Sequence, residues 1–181
     1  MNRVKEITAL SILTLGFLLT GCISAPSRIQ NTEVLNPDEG LFLILSDRKW
    51  LETDRKIPPL IQLFYRPLGH WHNTGHVTFS DDENLALVRL PVGKYELNQA
   101  SYVGGYLRFP EGTKFSIEAG KITYIGNFSL EVTWGFLFRP TRLVVTDNTE
   151  KAVKILAAKY PDVSDKYPII SEVLDLEIGR K

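Results

Sequence analysis

Lys114-Phe115-Ser116-Ile117-Glu118-Ala119-Gly120-Lys121-Ile122-Thr123-Tyr124-Ile125-Gly126-Asn127-Phe128-Ser129-Leu130-Glu131-Val132 decides the fold. In an extended chain successive side chains point to opposite faces, so Phe115 and Ile117 fall on one side and Lys114, Ser116 and Glu118 on the other. The return leg repeats the period. Ile122, Tyr124, Phe128, Leu130 and Val132 share one face, and Lys121, Thr123, Asn127, Ser129 and Glu131 share the other, with Ile125 the one apolar residue on the polar side. Wound onto a helix, alternation this long would drive polar groups into the core. Glu118-Ala119-Gly120-Lys121 fits a hairpin connection in which Gly120 takes the left-handed conformation and forms a bulge. The pattern predicts a half-buried antiparallel hairpin.

Outward from this segment the strand period persists. Leu41 to Leu45 is a continuous apolar run, suited to a central strand covered on both faces. Leu60 to Tyr65, stopped by Arg66-Pro67, is a second strand, and His76 to Ser80 and Leu85 to Leu90 flank an acidic turn at Asp81-Asp82-Glu83-Asn84. Leu90-Pro91-Val92-Gly93-Lys94-Tyr95 marks a corner, since proline pre-sets φ at the second turn position and glycine suits the fourth. A strand from Lys94 to Val103 follows it. Thr141 to Thr146 leads into one helix near 148–160. There Asp147 and Glu150 fit a capping box, Ala152, Val153, Leu156 and Ala157 recur at helical spacing, and Pro161 is the stop. Ile169 to Ile178 fits either element. The expected fold is mainly β: an antiparallel β-sandwich of about seven strands, transthyretin-like or Ig-like, with one C-terminal α-helix over an edge or end.

Leu90-Pro91-Val92-Gly93-Lys94-Tyr95 and Phe115 to Gly126 together resemble the repeating phrase of uncharacterised bacterial lipoproteins with a transthyretin-like or carboxypeptidase-regulatory-like sandwich. The resemblance covers roughly residues 85 to 130. It implies a fold, and no catalytic residues to carry over.

The N-terminus points the same way. Arg3 and Lys5 give a short positive start, and Ile7 to Leu19 is uncharged and apolar apart from Thr8, Ser11 and Thr14. Thirteen residues fall short of the ~20 that a spanning helix needs, but match the apolar region of a signal peptide. Leu19-Thr20-Gly21-Cys22 then resembles a bacterial lipobox. Small residues before the cut let the peptidase approach the backbone, and the thiol accepts a diacylglyceryl group. Cys22 is the only cysteine, so no intramolecular disulfide can form. The expectation is a signal peptide over 1–21, a lipid on Cys22, and a polar tether with two prolines over 22–38, ahead of a single domain over 39–181. Two or more acyl chains anchor stably where one is marginal. Ile23 stands where the related Gram-negative lipoproteins place an inner-membrane retention aspartate. This implies the periplasmic face of the outer membrane, if the source has one.

Length and composition bound the rest. At 181 residues with 44% apolar and 23% charged residues, the chain is one globular domain and not a disordered one. Without residues 1–21 it carries 19 basic against 20 acidic groups. With no basic run either, nucleic acid is excluded as an expected partner.

Three groups could carry chemistry. His70, His72 and His76 fall within seven residues; a turn at Asn73-Thr74-Gly75 could gather three imidazoles around zinc or copper, although no carboxylate lies among them. The alternative is a polar hairpin tip with exposed histidines, and no cofactor is expected. Ser46-Asp47-Arg48-Lys49 matches the S-x-x-K spacing of penicillin-binding enzymes. However, the serine ends a strand, and the S-D-N and K-T-G partners are missing. No other catalytic signature appears, so an enzyme is not expected. Tyr102 and Tyr106, in a glycine-rich aromatic stretch, and Trp134 and Phe136, in a denser one, are candidates for a binding patch, because aromatics with arginine are favoured at interfaces. The competing reading is core filling at tight corners. The functional expectation is a membrane-tethered, non-enzymatic envelope module contacting an envelope protein or glycan. A histidine metal protein is the alternative. The third reading is a type VI secretion-like assembly lipoprotein, which Leu35-Asn36-Pro37-Asp38 resembles.

Overall fold

A computed structural model describes residues 34–50, 61–70, 74–79, 84–102, 105–133 and 139–179. Eleven strands and two helices lie among them: β1 Glu39–Trp50, β2 Ile61–Pro67, β3 Gly75–Phe79, β4 Leu85–Pro91, β5 Gly93–Tyr102, β6 Gly105–Arg108, β7 Lys114–Ile117, β8 Ile122–Thr133, β9 Arg139–Thr146, α1 Thr149–Lys159, α2 Pro161–Lys166, β10 Ile169–Ser171 and β11 Leu176–Gly179. The first sheet has the order β11-β9-β8-β1-β4, with β10 also on β8. The second has the order β3-β2-β5-β6, with β7 also on β5.

The two sheets pack face to face. Phe42, Ile44, Val88, Phe128 and Leu143 of the first meet Leu63, Tyr65, Phe79, Leu97 and Phe115 of the second in one buried core. Phe42, Tyr65, Tyr95 and Phe115 stack or meet edge to face within it, at centroid separations of 4.5 to 6.5 Å. A second apolar layer lies on the outer side of the first sheet, where Leu41, Leu43, Leu45, Leu85, Leu87, Ile122 and Tyr124 pack on Ala152, Leu156, Val163 and Tyr167. The molecule is therefore three layers: sheet, sheet and helices.

Several sequence expectations change here. Lys114 to Val132 is not a hairpin. β7 pairs with β5 in the second sheet and β8 with β1 in the first, so Glu118–Lys121 is an arch that crosses between sheets. Gly120 does take the left-handed conformation, at φ +63°. Its N–H donates to the Glu39 carbonyl at 2.9 Å, which docks the arch against the start of β1. β8 is not half-buried: Ile122 through Leu130 are all buried. Nor is the sheet purely antiparallel, since β1 and β10 both run parallel to β8.

The odd position of Ile125 has a cause. At Gly126, whose φ is +129°, the register of β8 against β1 shifts by one residue. Ile122 and Tyr124 before it face the helices, whereas Phe128 and Leu130 after it face the inter-sheet core along with Ile125. A bulge exchanges the two faces of a strand, so a single parity does not describe this one.

β1 does run covered on both faces, as the Leu41–Leu45 run predicts. It continues past Ser46, which therefore lies within a strand and is 4% exposed. The eleven strands exceed the expected seven because β6, β10 and β11 are short and Ile169–Ile178 forms two of them. Helix α1 matches the 148–160 expectation and ends ahead of Pro161, with Tyr160 as its C-cap, but a second helix that was not expected follows, with Pro161 in its first turn. Both helices cover a sheet face, not an edge. Asp147 accepts from the Thr149 backbone N–H at 3.0 Å and from its hydroxyl at 2.7 Å, while Asn148 holds the N-cap position without a side-chain bond.

Pro91-Val92-Gly93 is another short crossing between the sheets. The Val92 N–H donates to the Asp38 carbonyl, and the Tyr95 hydroxyl, inside the core, donates to the Pro91 carbonyl at 2.8 Å. A tyrosine hydroxyl bonded back to a corner is a recurrent way to brace a sandwich.

Candidate functional site

Both of these short crossings lie beside the start of β1, which marks one end of the strands as the crossing end. β5 leaves the crossing at Gly93 and runs to Tyr102, and β8 leaves the arch at Ile122 and runs to Thr133, parallel to β1. Tyr102 and Thr133 therefore lie at the opposite end of the strands. The β2–β3 connection lies at the crossing end, because Pro67 pairs with Tyr95 and Tyr65 with Gly75. Val34 and Leu35 also enter there: the Leu35 N–H donates to the Tyr167 hydroxyl at 3.0 Å, and Leu35 packs on the helix-side core.

Among the described residues no helix covers the outer face of the second sheet. Gln62, Phe64 and Arg66 of β2 and His76 and Thr78 of β3 are half-buried positions between core residues. The Ser101 hydroxyl donates to Gln62 Oε1 at 3.0 Å, and Gln62 Nε2 contacts Thr78 Oγ1 at 3.4 Å. At the crossing end, this face bears a half-open pocket of about 290 Å³ lined by Arg66, Leu68, Gly69, His70, Glu96, Glu111, Gly112 and Lys114.

Its floor is an ion pair. Arg66 Nη2 and Nε donate to Glu96 Oε2 at 2.9 and 3.3 Å, and the Gly112 backbone N–H donates to Glu96 Oε1 at 3.1 Å. The Arg66 guanidinium, then the Gly112 N–H, hold the Glu96 carboxyl below its ordinary range. Charge-assisted bonds of this kind fix both side chains. The rim is different. Among the described residues Lys114 and Glu111 hold no salt bridge, although the Lys114 charge also helps to lower the Glu96 pKa, and His70 stands exposed in the turn after β2. Gly112 takes φ +84° in the turn where the Thr113 N–H and hydroxyl both donate to the Pro110 carbonyl.

The sequence-predicted residues separate. His70 lines this pocket, and His76 sits on β3 beside Phe64, ring centroids 5.7 Å apart. His72 lies outside the described residues. Among the described residues no three His, Cys, Asp or Glu groups gather as a metal site. Tyr106 is 53% exposed on the edge strand β6, with the Arg108 guanidinium 5.5 Å over its ring. Tyr102 ends β5 opposite Gly105, and its side chain lies outside the described residues, as do Trp134, Phe136 and Cys22. Among the described residues no helix is long and apolar enough to cross a membrane.

Sequence reasoning missed Arg66, Glu96, Glu111 and Lys114. Arg66 and Glu96 are thirty positions apart and meet only because Arg66 pairs with Glu96 across β2 and β5. That register includes a bulge between Phe64 and Tyr65, which no local pattern reveals. The one available signal was a charge at an outward position of each strand.

No protein-family model, curated protein or solved structure matches the chain.

Proposed function

We propose that this chain is a lipid-anchored cell-envelope protein whose sandwich, of transthyretin-like type, is a non-enzymatic binding or structural module for an envelope protein or glycan. The anchor is the lipobox cysteine Cys22, and the address is the periplasmic face of the outer membrane in a Gram-negative source.

The observation that supports this reading best is polarity along the strands. The chain enters the domain at Val34, at the crossing end, while Tyr102, Gly105 and Tyr106, and the strand ends Thr133 and Arg139 that flank the Trp134 stretch in sequence, lie at the other end. A module held at one end on a bilayer offers its far end to partners. Exposed tyrosine beside arginine is the composition found in interface cores.

Two measurements test it. Mass spectrometry of the membrane-extracted protein is expected to find acyl chains on Cys22, and Cys22→Ser to release the protein into the soluble fraction. Photocrosslinking groups placed at Tyr106 and at Trp134 are expected to trap one and the same envelope component. An unmodified thiol removes the anchor, and the absence of any common adduct from the two positions removes the binding role.

A further inference from the structure

The pocket at the crossing end lies at the other end of the strands from the turns assigned to partner contact, and its chemistry stands apart from that reading. Arg66 and Glu96 neutralise each other on its floor, so the charges that can meet a ligand are Lys114 and Glu111 on the rim, with the His70 imidazole beside them as a hydrogen-bonding group. A purely anionic ligand would face Glu111, and a purely cationic one would face Lys114. Like-charge juxtaposition of this kind is how a site rejects the wrong partner. A ligand with both signs satisfies the rim, and the imidazole adds a donor for an oxyanion with several acceptor oxygens. About 290 Å³ is at the small end of ligand sites and suits a molecule of a few heavy atoms. Gly69 and Gly112, both at φ +84°, keep side chains out of the two turns flanking the opening.

We propose that the Arg66–Glu96 pocket binds a small phosphate-bearing zwitterion of the phosphoethanolamine class, with Lys114 and His70 on the phosphate and Glu111 on the ammonium. The same chemistry occurs free in solution and as a phospholipid headgroup. The crossing end is where the chain enters from the tether, so both sources can reach it.

The test uses the full chain in a phosphate-free non-ionic detergent, with calorimetric titration of phosphoethanolamine, inorganic phosphate and ethanolamine. Saturable binding of phosphoethanolamine is expected, about tenfold or more tighter than either half alone, which corresponds to about 1.4 kcal/mol. Lys114→Glu is expected to weaken it about tenfold or more, and Glu111→Gln to erase the preference over phosphate. Both residues are exposed, so the variants are expected to keep the wild-type circular dichroism and melting point. Absence of saturable binding by the wild type, equal affinity for inorganic phosphate, or full affinity in Lys114→Glu would each overturn the proposal. Competition with vesicles then separates the sources. Displacement by phosphatidylethanolamine vesicles but not phosphatidylcholine ones upholds the pocket as a headgroup site, and failure of both to displace upholds it as a site for the free zwitterion. None of these readouts depends on acylation of Cys22, so the pocket and the anchor stand or fall separately.

Discussion

The two sheets share a core but turn opposite kinds of surface outward. The outer side of the first sheet is apolar at Leu41, Leu43, Leu45, Leu85, Leu87, Ile122 and Tyr124, and two helices lie over it. The outer side of the second is Gln62, Phe64, Arg66, His76, Thr78 and Glu96, with no helix above it among the described residues. Even the charged residues differ in role. Asp47, on the covered side, accepts from Asn127 Nδ2 and from Lys151 Nζ, both at 2.7 Å, and so fastens α1 to the sheet. Glu96, on the bare side, sets the floor of a pocket. One face has been spent on stability, and the other is left to meet solvent and ligands.

That contrast is open to direct attack. The largest expected effect is Leu43→Asp. Leu43 is 0% exposed beneath α1, and a carboxylate there would have no partner. Burying an unpaired charge costs more than about 4 kcal/mol, which is enough to abolish cooperative unfolding in a denaturant titration. A normal transition in this variant would mean that the helices are not seated on the sheet.

Gly126→Ala comes next, at about 3 to 4 kcal/mol. A Cβ at Gly126 would meet Val145 Cγ1 at 2.4 Å, and φ +129° is foreign to a side chain. Overpacking and backbone strain each cost roughly 1 to 3 kcal/mol. Equilibrium unfolding reads the loss, and a cost below about 1 kcal/mol would say that β8 does not need its change of face.

A matched pair of truncations follows. Leu156→Ala, on the buried face of α1, is expected to cost about 3 kcal/mol, within the usual range for a fully buried leucine. Phe64→Ala, at a half-buried position of the bare face, is expected to cost less than about 1 kcal/mol although phenylalanine is the larger residue. Equal costs would erase the distinction between the faces.

How much of this contrast was legible depended on the strand. β1 declared itself, because five consecutive apolar residues leave no polar face to expose. β2 and β5 were legible as strands, but which of their faces is bare was not. β8 looked like them and is not: its polar-looking positions Thr123, Asn127 and Ser129 are buried. Asn127 is held by Asp47, eighty residues earlier in the chain, and Ile125 was the visible trace of the bulge. The partner of a strand is equally hidden. Phe115–Ile117 and Ile122–Leu130 are separated by four residues, and short connections usually join neighbours in one sheet. Here the Gly40 backbone lies so close to Glu118 that a Cβ on it would clash, and the arch closes onto β1. The pocket was the least legible of all, because it depends on register between β2, β5 and the turn before β7.

The last effect expected concerns that pocket, and its size depends on pH. The Arg66 guanidinium, then the Gly112 N–H, lower the folded-state pKa of Glu96 below the ordinary 4.5. A group with a depressed folded pKa contributes stability above its unfolded value, and loses it as pH falls through the folded one. Wild-type stability is therefore expected to decline below about pH 4.5 more steeply than that of Glu96→Gln. At pH 7 the variant should be less stable by about 1 to 2 kcal/mol, the worth of hydrogen bonds to a charged group, and the two curves should converge as pH falls through the folded-state value. Parallel curves for wild type and Glu96→Gln from pH 7 to pH 3 would show that the carboxylate is not held by Arg66.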